Sequence, residues 1–344
     1  MHIQKVYSLY LSFPYFHSTI KRLHAMHKAP VLVIGSSNTD MVVKTPHLPA
    51  PGETILGGTF FMNAGGKGAN QAVAAARLGG KVTFIAKTGD DIFGRQALQL
   101  FGEEGIDTSR IITDPQHPSG VALITVDDKG ENCIAVASGA NGHLLPADIE
   151  NVQDKIVDAA IVLMQLEVPV ETVAQAAAIA SKAGAMVILN PAPACELPND
   201  IFRHISIITP NETEAEMLSG IKVIDIQYAK KAADIIRAKG VKTVIITLGS
   251  KGALIVGEGM EQLVPAPVVT AVDTTAAGDV FNGALAVALS EGEGIVTAVE
   301  FACKAAAISV TRLGAQASAP FRKEMPPSLK GGKGIGRVPQ PDKM

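Results

Sequence analysis

Short apolar runs alternate with longer helical stretches along most of this chain, and that rhythm restricts the fold more than any single motif. "VLVIG" (31–35), "KVTFIAKTG" (81–89), "AIVLMQLE" (160–167), "AMVILN" (185–190), "ISIITP" (205–210) and "VKTVIITLG" (241–249) read as strands of the buried type. Between them lie "GANQAVAAARLGG" (68–80), "FGRQALQLFGEEG" (93–105), "PVETVAQAAAIASKAG" (169–184), a helix opening at Asn211, and "DIQYAKKAADIIRAKG" (225–240). Two further helices, about 277–290 and 295–312, close the series. Repeated strand–helix units with apolar strands predict an α/β fold of three layers, with helices on both faces of a mainly parallel central sheet.

Two segments break the rhythm. Residues 39–63 alternate and turn without a helix, and residues 119–139 form a hairpin with its turn at "DDKGEN". Together they are expected to make a small antiparallel sheet, a lid over the carboxyl ends of the main strands, where such folds take their ligands. The domain is expected over 30–322. Residues 1–29 read as a disordered extension, because "MHKAPVLVIG" from Met26 looks like a natural start. Residues 323–344, rich in Gly, Pro and Lys, read as a flexible tail.

Composition excludes some partners. Formal charge is −3, and −7 without residues 1–28, which hold four bases and no acid (−3 minus 4), so no broad basic face for nucleic acid is offered. Cys133, Cys195 and Cys303 lie far apart, make no CxxC and suggest no disulfide framework, which points to the cytoplasm. No apolar run reaches the roughly 18–20 residues that a membrane span needs.

Five stretches could carry chemistry. In "NAGGKGANQAV", glycines 65, 66 and 68 let backbone approach a ligand ahead of a helix N-terminus. The stretch is not a Walker A loop, since Gly68 follows Lys67, and a tight strand-to-helix turn accounts for it equally well; "GGKG" recurs at 331–334 with no helix behind it. In "GSSNTD" (35–40), Asn38 and Asp40 are two apart and share a side in extended backbone, where they could grip sugar hydroxyls or simply make an Asx turn. Asn211 and Glu214 have capping-box spacing, which is compatible with holding a phosphate and a Mg²⁺-bound water. "ITLGSKGALI" (246–255) is a glycine-punctuated turn that could wrap a nucleotide or only join a hairpin. In "DTTAAGDVFNG", small residues Ala276, Ala277 and Gly278 precede Asp279 at a helix start. Free amides there suit charge building on a transferring phosphoryl group, and the carboxylate can accept a hydroxyl proton. A plain acidic helix start would not need the small residues before it.

In this order and spacing, "GSSNTD", "PGET", "GGKGANQAVAAARLG", "TGDD.FG", "MQLE", "NPAPA.ELP", "TPNETEAE", "ITLGSKG", "DTTAAGDVFNGALA" and "VTRLGAQ.S.P" resemble the ribokinase/PfkB carbohydrate kinase family, over about residues 30–322. The resemblance implies transfer of the ATP γ-phosphate to O5 of D-ribose, with deoxyribose or another sugar as the alternative. It makes Asp279 the general base and Ala276, Ala277 and Gly278 the anion hole. Asn38, Thr39, Asp40, Gly66, Lys67, Gly68, Ala69, Asn70 and Glu167 would hold the sugar. Asn211, Glu214, Thr247, Leu248, Gly249, Ser250, Lys251, Gly252, Gly278 and Cys303 would lie along ATP and its Mg²⁺. Asp273, Thr275, Ser309, Arg312, Gly314 and Ser318 match positions around an activating monovalent cation, K⁺, with Arg312 serving only through its carbonyl. A homodimer joined through the lids is also implied. The sequence departs from the family at "AAGD", where many relatives have "GAGD", and after residue 322, where the usual terminal helix gives way to Pro and Gly. A binding protein that kept the fold without turnover is the reading from another class. An NAD-dependent oxidoreductase fails on the missing GxGxxG after the first strand.

Overall fold

The computed structural model describes residues 29–325. The expected extension, apart from Ala29, and the expected tail beyond Met325 lie outside the described residues. The chain opens with β1 (Val31–Ile34), β2 (Asn38–Lys44), β3 (Thr59–Gly65), α1 (Lys67–Arg77), β4 (Val82–Ile85), β5 (Lys87–Gly89) and α2 (Ile92–Glu103). Then come β6 (Ile112–Asp114), β7 (Gly120–Val126), β8 (Asn132–Ala137), α3 (Pro146–Asn151), α4 (Gln153–Asp158), β9 (Ile161–Met164), α5 (Val170–Ala183) and β10 (Met186–Leu189). The last third holds β11 (Ile207–Ile208), α6 (Glu212–Ser219), α7 (Ile226–Ala238), β12 (Thr243–Thr247), β13 (Ala253–Gly257), β14 (Met260–Val264), α8 (Ala277–Ser290) and α9 (Ile295–Ser309).

Eight strands form the central sheet in the order β14-β13-β12-β11-β10-β9-β1-β4. From β12 to β4 all neighbours are parallel, and β13 and β14 add an antiparallel edge. Alternate side chains of β1 feed two cores, which is why the strand is apolar throughout. Val31 and Val33 pack with α1, α8 and α9; Leu32 and Ile34 pack with α3 to α7. The expected three layers follow from this division.

The lid is a second sheet, ordered β3-β2-β7-β8. It corrects one expectation: β2 and β7 are parallel, so the lid is mixed rather than antiparallel. Each of these strands begins where the chain leaves the main domain, so both run outward in the same sense. Their hairpin partners β3 and β8 return antiparallel. The β7–β8 turn falls at the expected place. Asp127 Oδ1 accepts from the amides of Lys129 (2.8 Å) and Glu131 (2.9 Å).

The lid is anchored by the "TGDD.FG" stretch. Asp91 caps α2 through Gly94 N (2.8 Å) and accepts from Ser119 N (2.7 Å) and Ser119 Oγ (2.7 Å). Ser119 Oγ in turn accepts from Gly89 N (3.0 Å). Burial works against the Asp91 charge, but these donors outweigh it and hold its carboxyl below the usual range. One acid thus fixes a helix start and the root of β7.

Other differences from the sequence reading have local causes. "KVTFIAKTG" is two strands, because β4 is the edge of the main sheet and the chain departs after Ile85 to pair β5 with β6. The last helix stops at Ser309 rather than 312, and the Val310 carbonyl accepts instead from the amides of Val272 and Asp273. Order persists past 322, through a 3-10 turn at Arg322–Glu324 and the buried Met325. The short helices α3 and α4 had no clear periodic signal.

Candidate active site

The first wall of the site grows from the end of β1. Ser36 Oγ donates to Glu167 Oε2 (2.5 Å), which also accepts from Lys67 N (2.9 Å). Glu167, just after β9, is thereby locked to the first turn of α1. Two glycines are required for this fit. Gly66 has φ 88° and a Cβ there would sit 2.7 Å from Asn38 N; a Cβ on Gly68 would strike the backbone of Gly35 and Ser36. Ala69 is wholly buried, with its amide committed to Ser36 O (2.8 Å), so it fastens the helix.

β2 then carries Asn38 and Asp40 on one side, as the spacing predicted. Asn38 Oδ1 accepts from Asn141 Nδ2 (2.7 Å), which commits that oxygen. Asn141 also accepts from Ser37 N (2.9 Å), so it braces the whole β1–β2 connection. Thr39 and Asn38 both line a cavity of about 190 Å³ that is walled on its far side by Phe93 and Gln96 of α2.

Asp279 lies in the first turn of α8 and is only 5% exposed. Its Oδ2 accepts from Asn70 Nδ2 (2.9 Å) and its Oδ1 from Gln71 Nε2 (2.9 Å), both on α1. The two helices meet closely because Gly283 has no side chain: a Cβ there would be 2.7 Å from Gln71 O and 2.9 Å from the Ala74 methyl. Ala276, at the helix start, adopts φ 59°, a left-handed conformation that costs a residue with a Cβ roughly 1 kcal/mol or more. It is the one non-glycine residue at positive φ among the described residues. The Ala277 amide donates to Thr274 O (3.2 Å), while the Gly278 amide, in the first turn, has no intrahelical partner.

Five charges converge here: Asp40, Lys67, Glu167, Glu214 and Asp279 interact with one another electrostatically. Burial raises Asp279, against Lys67 and the Asn70 and Gln71 donors, which lower it; Glu167 adds to the rise. Asp40 is pushed up to about 6, by burial first and then by Glu167 and Asp279. Burial alone would lower the Lys67 ammonium, but Asp279, Glu167 and Glu214 together hold it above its usual value. A buried carboxylate with a raised pKa and one cation nearby is a setting for proton abstraction.

On the opposite wall, Asn211 and Glu214 form the expected capping box. Asn211 Oδ1 accepts from Glu214 N (2.8 Å), and Glu214 Oε2 accepts from Asn211 N (2.9 Å). Glu214 Oε1 accepts from Asn211 Nδ2 (3.0 Å). Asn211 bridges to Thr247, whose amide donates to Pro210 O (2.9 Å), so the third and fourth constellations are one surface. The turn closes through Leu248 N to Gly252 O (2.8 Å), with Ser250 and Lys251 exposed. Gly252 at φ 100° abuts Val264 O, where no Cβ fits. Cys303 lies on α9 within the apolar core, its thiol pushed up to about 11 by burial and Glu300.

The predicted cation residues form two joined loops. Asp273 Oδ1 accepts from Thr275 N (2.9 Å) and Oδ2 from Gly314 N (2.8 Å). Ser309 and Ser318 are fully buried and donate to Ala306 O and Ala315 O, both at 2.8 Å. The Arg312 guanidinium is paired with Glu324 (2.6 Å), which leaves its carbonyl as the available donor atom.

Sequence reasoning missed the buried polar groups beneath Asp279. Gln71 Nε2 also donates to Asn190 Oδ1 (3.1 Å), and Gln71 Oε1 accepts from Gln165 Nε2 (2.5 Å). Asn190 Nδ2 reaches Thr209 O (3.4 Å), Thr209 Oγ1 donates to Asn282 Oδ1 (2.7 Å), and Asn282 Nδ2 donates to Gly278 O (2.8 Å). A signal existed: Gln71, Gln165, Asn190 and Asn282 are amides set within otherwise apolar stretches of the motifs.

Residues 28–322 match the model of the family described as pfkB family carbohydrate kinase. The chain is 48% identical over 292 residues to the ribokinase of Haemophilus influenzae, covering 85% of this chain and 95% of that protein. It is 40% identical over 291 residues to the deoxyribokinase of Salmonella typhi, covering 84% and 95%. The structure of Arabidopsis thaliana ribokinase complexed with ribose and ATP superimposes with TM-score 0.84 at 34% identity, covering 89% of this chain and all of that one. Fold, motif order and relatives agree: the chain belongs to the pfkB family of carbohydrate kinases.

Proposed function

We propose that this chain phosphorylates D-ribose at O5 with ATP, giving D-ribose 5-phosphate and ADP. The observation that carries the reading is a buried carboxylate, Asp279, held by two amide donors in the helix turn that also presents the Gly278 amide. Asn38, Asp40, Gly66, Lys67, Asn70 and Glu167 hold the sugar hydroxyls. ATP lies along Asn211 and Thr247–Gly252, while Cys303, expected beside it, is buried in the apolar core. Asp279 takes the proton of the 5-hydroxyl as O5 bonds to the γ-phosphorus. The bond from that phosphorus to the β–γ bridging oxygen breaks, and ADP leaves with the electron pair. The amides of Ala276 and Gly278 receive the charge that spreads over the phosphoryl oxygens, and that of Ala277 joins them on releasing Thr274 O.

Mg²⁺ fits the Glu214 wall. Each carboxylate oxygen there accepts one hydrogen bond, from Asn211, and keeps lone pairs for a water of a hydrated ion. When bound, the ion would neutralise phosphate charge. K⁺ fits the loops at 273–275 and 309–318, whose donor set is oxygen throughout once the Arg312 guanidinium is committed elsewhere. Na⁺ in place of K⁺ is expected to lower kcat several-fold; equal rates in the two salts would remove these loops from the activation of the enzyme. The exposed apolar side chains Val43, Phe60, Met62 and Leu123 on the lid support a homodimer joined there. The reducing cytoplasm suits ATP supply and three free thiols. Among the described residues no helix is long and apolar enough to cross a membrane.

The Salmonella relative named deoxyribokinase keeps a second reading open. Ribose differs by its 2-hydroxyl, and a site that bonds a hydroxyl can reject its absence by large factors. Comparing kcat/KM for D-ribose and 2-deoxy-D-ribose decides between them. Ribose is expected to be preferred at least tenfold; the reverse order would make the chain a deoxyribose kinase.

A further inference from the structure

We propose that Gln71 is the positioning residue of the catalytic base and that Gln165 sets the orientation of the Gln71 amide. The inference rests on Asp279 as the proton acceptor of the proposed reaction. Gln71 and Gln165 are both fully buried, so bulk water does not compete for their hydrogen bonds. A carboxylate held by one donor can swing about its terminal bond. Asp279 is held by two, Asn70 on one oxygen and Gln71 on the other, and this fixes its plane. Asn70 keeps a buried Oδ1 with no hydrogen-bond partner among the described residues, so its amide is held at one end only. Gln71 is the donor whose bonds all point inward.

The Gln71 amide must present nitrogen, not oxygen, to the carboxylate. Sequence alone leaves this open, because the two ends of an amide have the same shape. Gln165 decides it. Its Nε2 donates to Gln71 Oε1 (2.5 Å), which commits that oxygen and turns the amino group toward Asp279 (2.9 Å) and Asn190 Oδ1 (3.1 Å). Gln165 lies just after β9 in the central sheet, two residues before Glu167 of the sugar wall. The sheet therefore sets the aim of the base through one intervening side chain. Lys67, Glu167, Asp40 and Glu214 also face Asp279 and are unchanged by substitutions at 71 or 165.

Two consequences separate positioning from mere core packing. Loss of the Gln71 donor removes a bond that favours ionised Asp279, so the acid limb of the rate must move to higher pH. Loss of Gln165 must act only through Gln71. The test is single-turnover phosphoryl transfer by rapid quench from ATP to ribose, across pH 5.5–9, for wild type, Gln71→Met, Gln165→Met and the double variant. Steady-state KM values and thermal unfolding are recorded alongside. Gln71→Met is expected to slow transfer by about 10–100-fold and shift the acid limb upward by about one pH unit, with both KM values within about threefold. Gln165→Met should shift the limb the same way by less, and the double variant should be no slower than Gln71→Met by more than about twofold. An unmoved acid limb in Gln71→Met, a loss confined to KM, or full additivity of the two substitutions would overturn the proposal. Should Gln71→Met not fold, the limb of Gln165→Met decides alone: moved supports the relay, unmoved removes it. A normal transfer rate in Asp279→Asn would instead remove the base itself, and the relay with it.

Discussion

Asp279→Asn is expected to bind ATP and ribose almost as wild type does while kcat falls by about 10²–10⁴-fold. The substitution preserves shape and leaves the Gly278 amide in place, so the site still accepts both substrates. It removes the only function that an amide cannot supply, acceptance of the 5-hydroxyl proton. The fold should tolerate it. Asparagine presents one oxygen to two amide donors, Asn70 and Gln71, so one of these loses its partner at a cost of about 1–3 kcal/mol. Against that, a buried charge disfavoured by its surroundings disappears. Ligand binding by calorimetry and turnover by ADP release separate the effects. A kcat within tenfold of wild type would move the base elsewhere.

Asp40→Asn is expected to lower kcat/KM for ribose by about 10²–10³-fold, chiefly through KM, and at the same time to stabilise the protein at pH 7.5. The first effect follows from the loss of an ionised acceptor that a sugar hydroxyl would donate to. The second follows from linkage. The folded pKa of Asp40 is raised to about 6, so the folded state holds the proton more tightly than the unfolded chain. That contribution is present below the unfolded value near 3.8 and is lost as pH rises through about 6. At pH 7.5 wild type bears the full penalty of a buried carboxylate among Glu167 and Asp279, on the order of 3 kcal/mol. The asparagine variant does not, and its thermal midpoint should rise by several degrees with a smaller dependence on pH between 4 and 7. Equal midpoints for the two proteins at pH 7.5 would show that Asp40 does not face the acids, and an unchanged ribose KM that it does not face the sugar.

Much of this arrangement was legible in the residues. Strands apolar on both faces required helices on both sides, and the divided core of β1 shows why. The Asn38/Asp40 spacing and the Asn211/Glu214 spacing translated directly into shared sides and a capping box, because both are local rules. What escaped was set by long-range contact. β2 and β7 pair in parallel because they leave the same floor, a relation 82 residues apart that no turn signal carries. Gln71 looked like one more residue of an alanine-rich helix. Its importance depends on Gly283 admitting α8 to within contact and on Gln165 arriving from the central sheet. The strain at Ala276 was likewise hidden. The sequence marks it only as a departure from glycine, and backbone geometry shows what that departure costs.

The most direct test of the central claim is the product itself. Purified protein would be incubated with ATP, Mg²⁺, K⁺ and D-ribose labelled with ¹³C at C5, and followed by ¹³C and ³¹P NMR. The account predicts ADP formed in step with a phosphomonoester whose phosphorus couples to C5. Phosphate at another carbon would contradict the placing of Asp279 against the 5-hydroxyl, and ribose bound without any ADP would contradict catalysis in favour of a binding protein on a kinase fold.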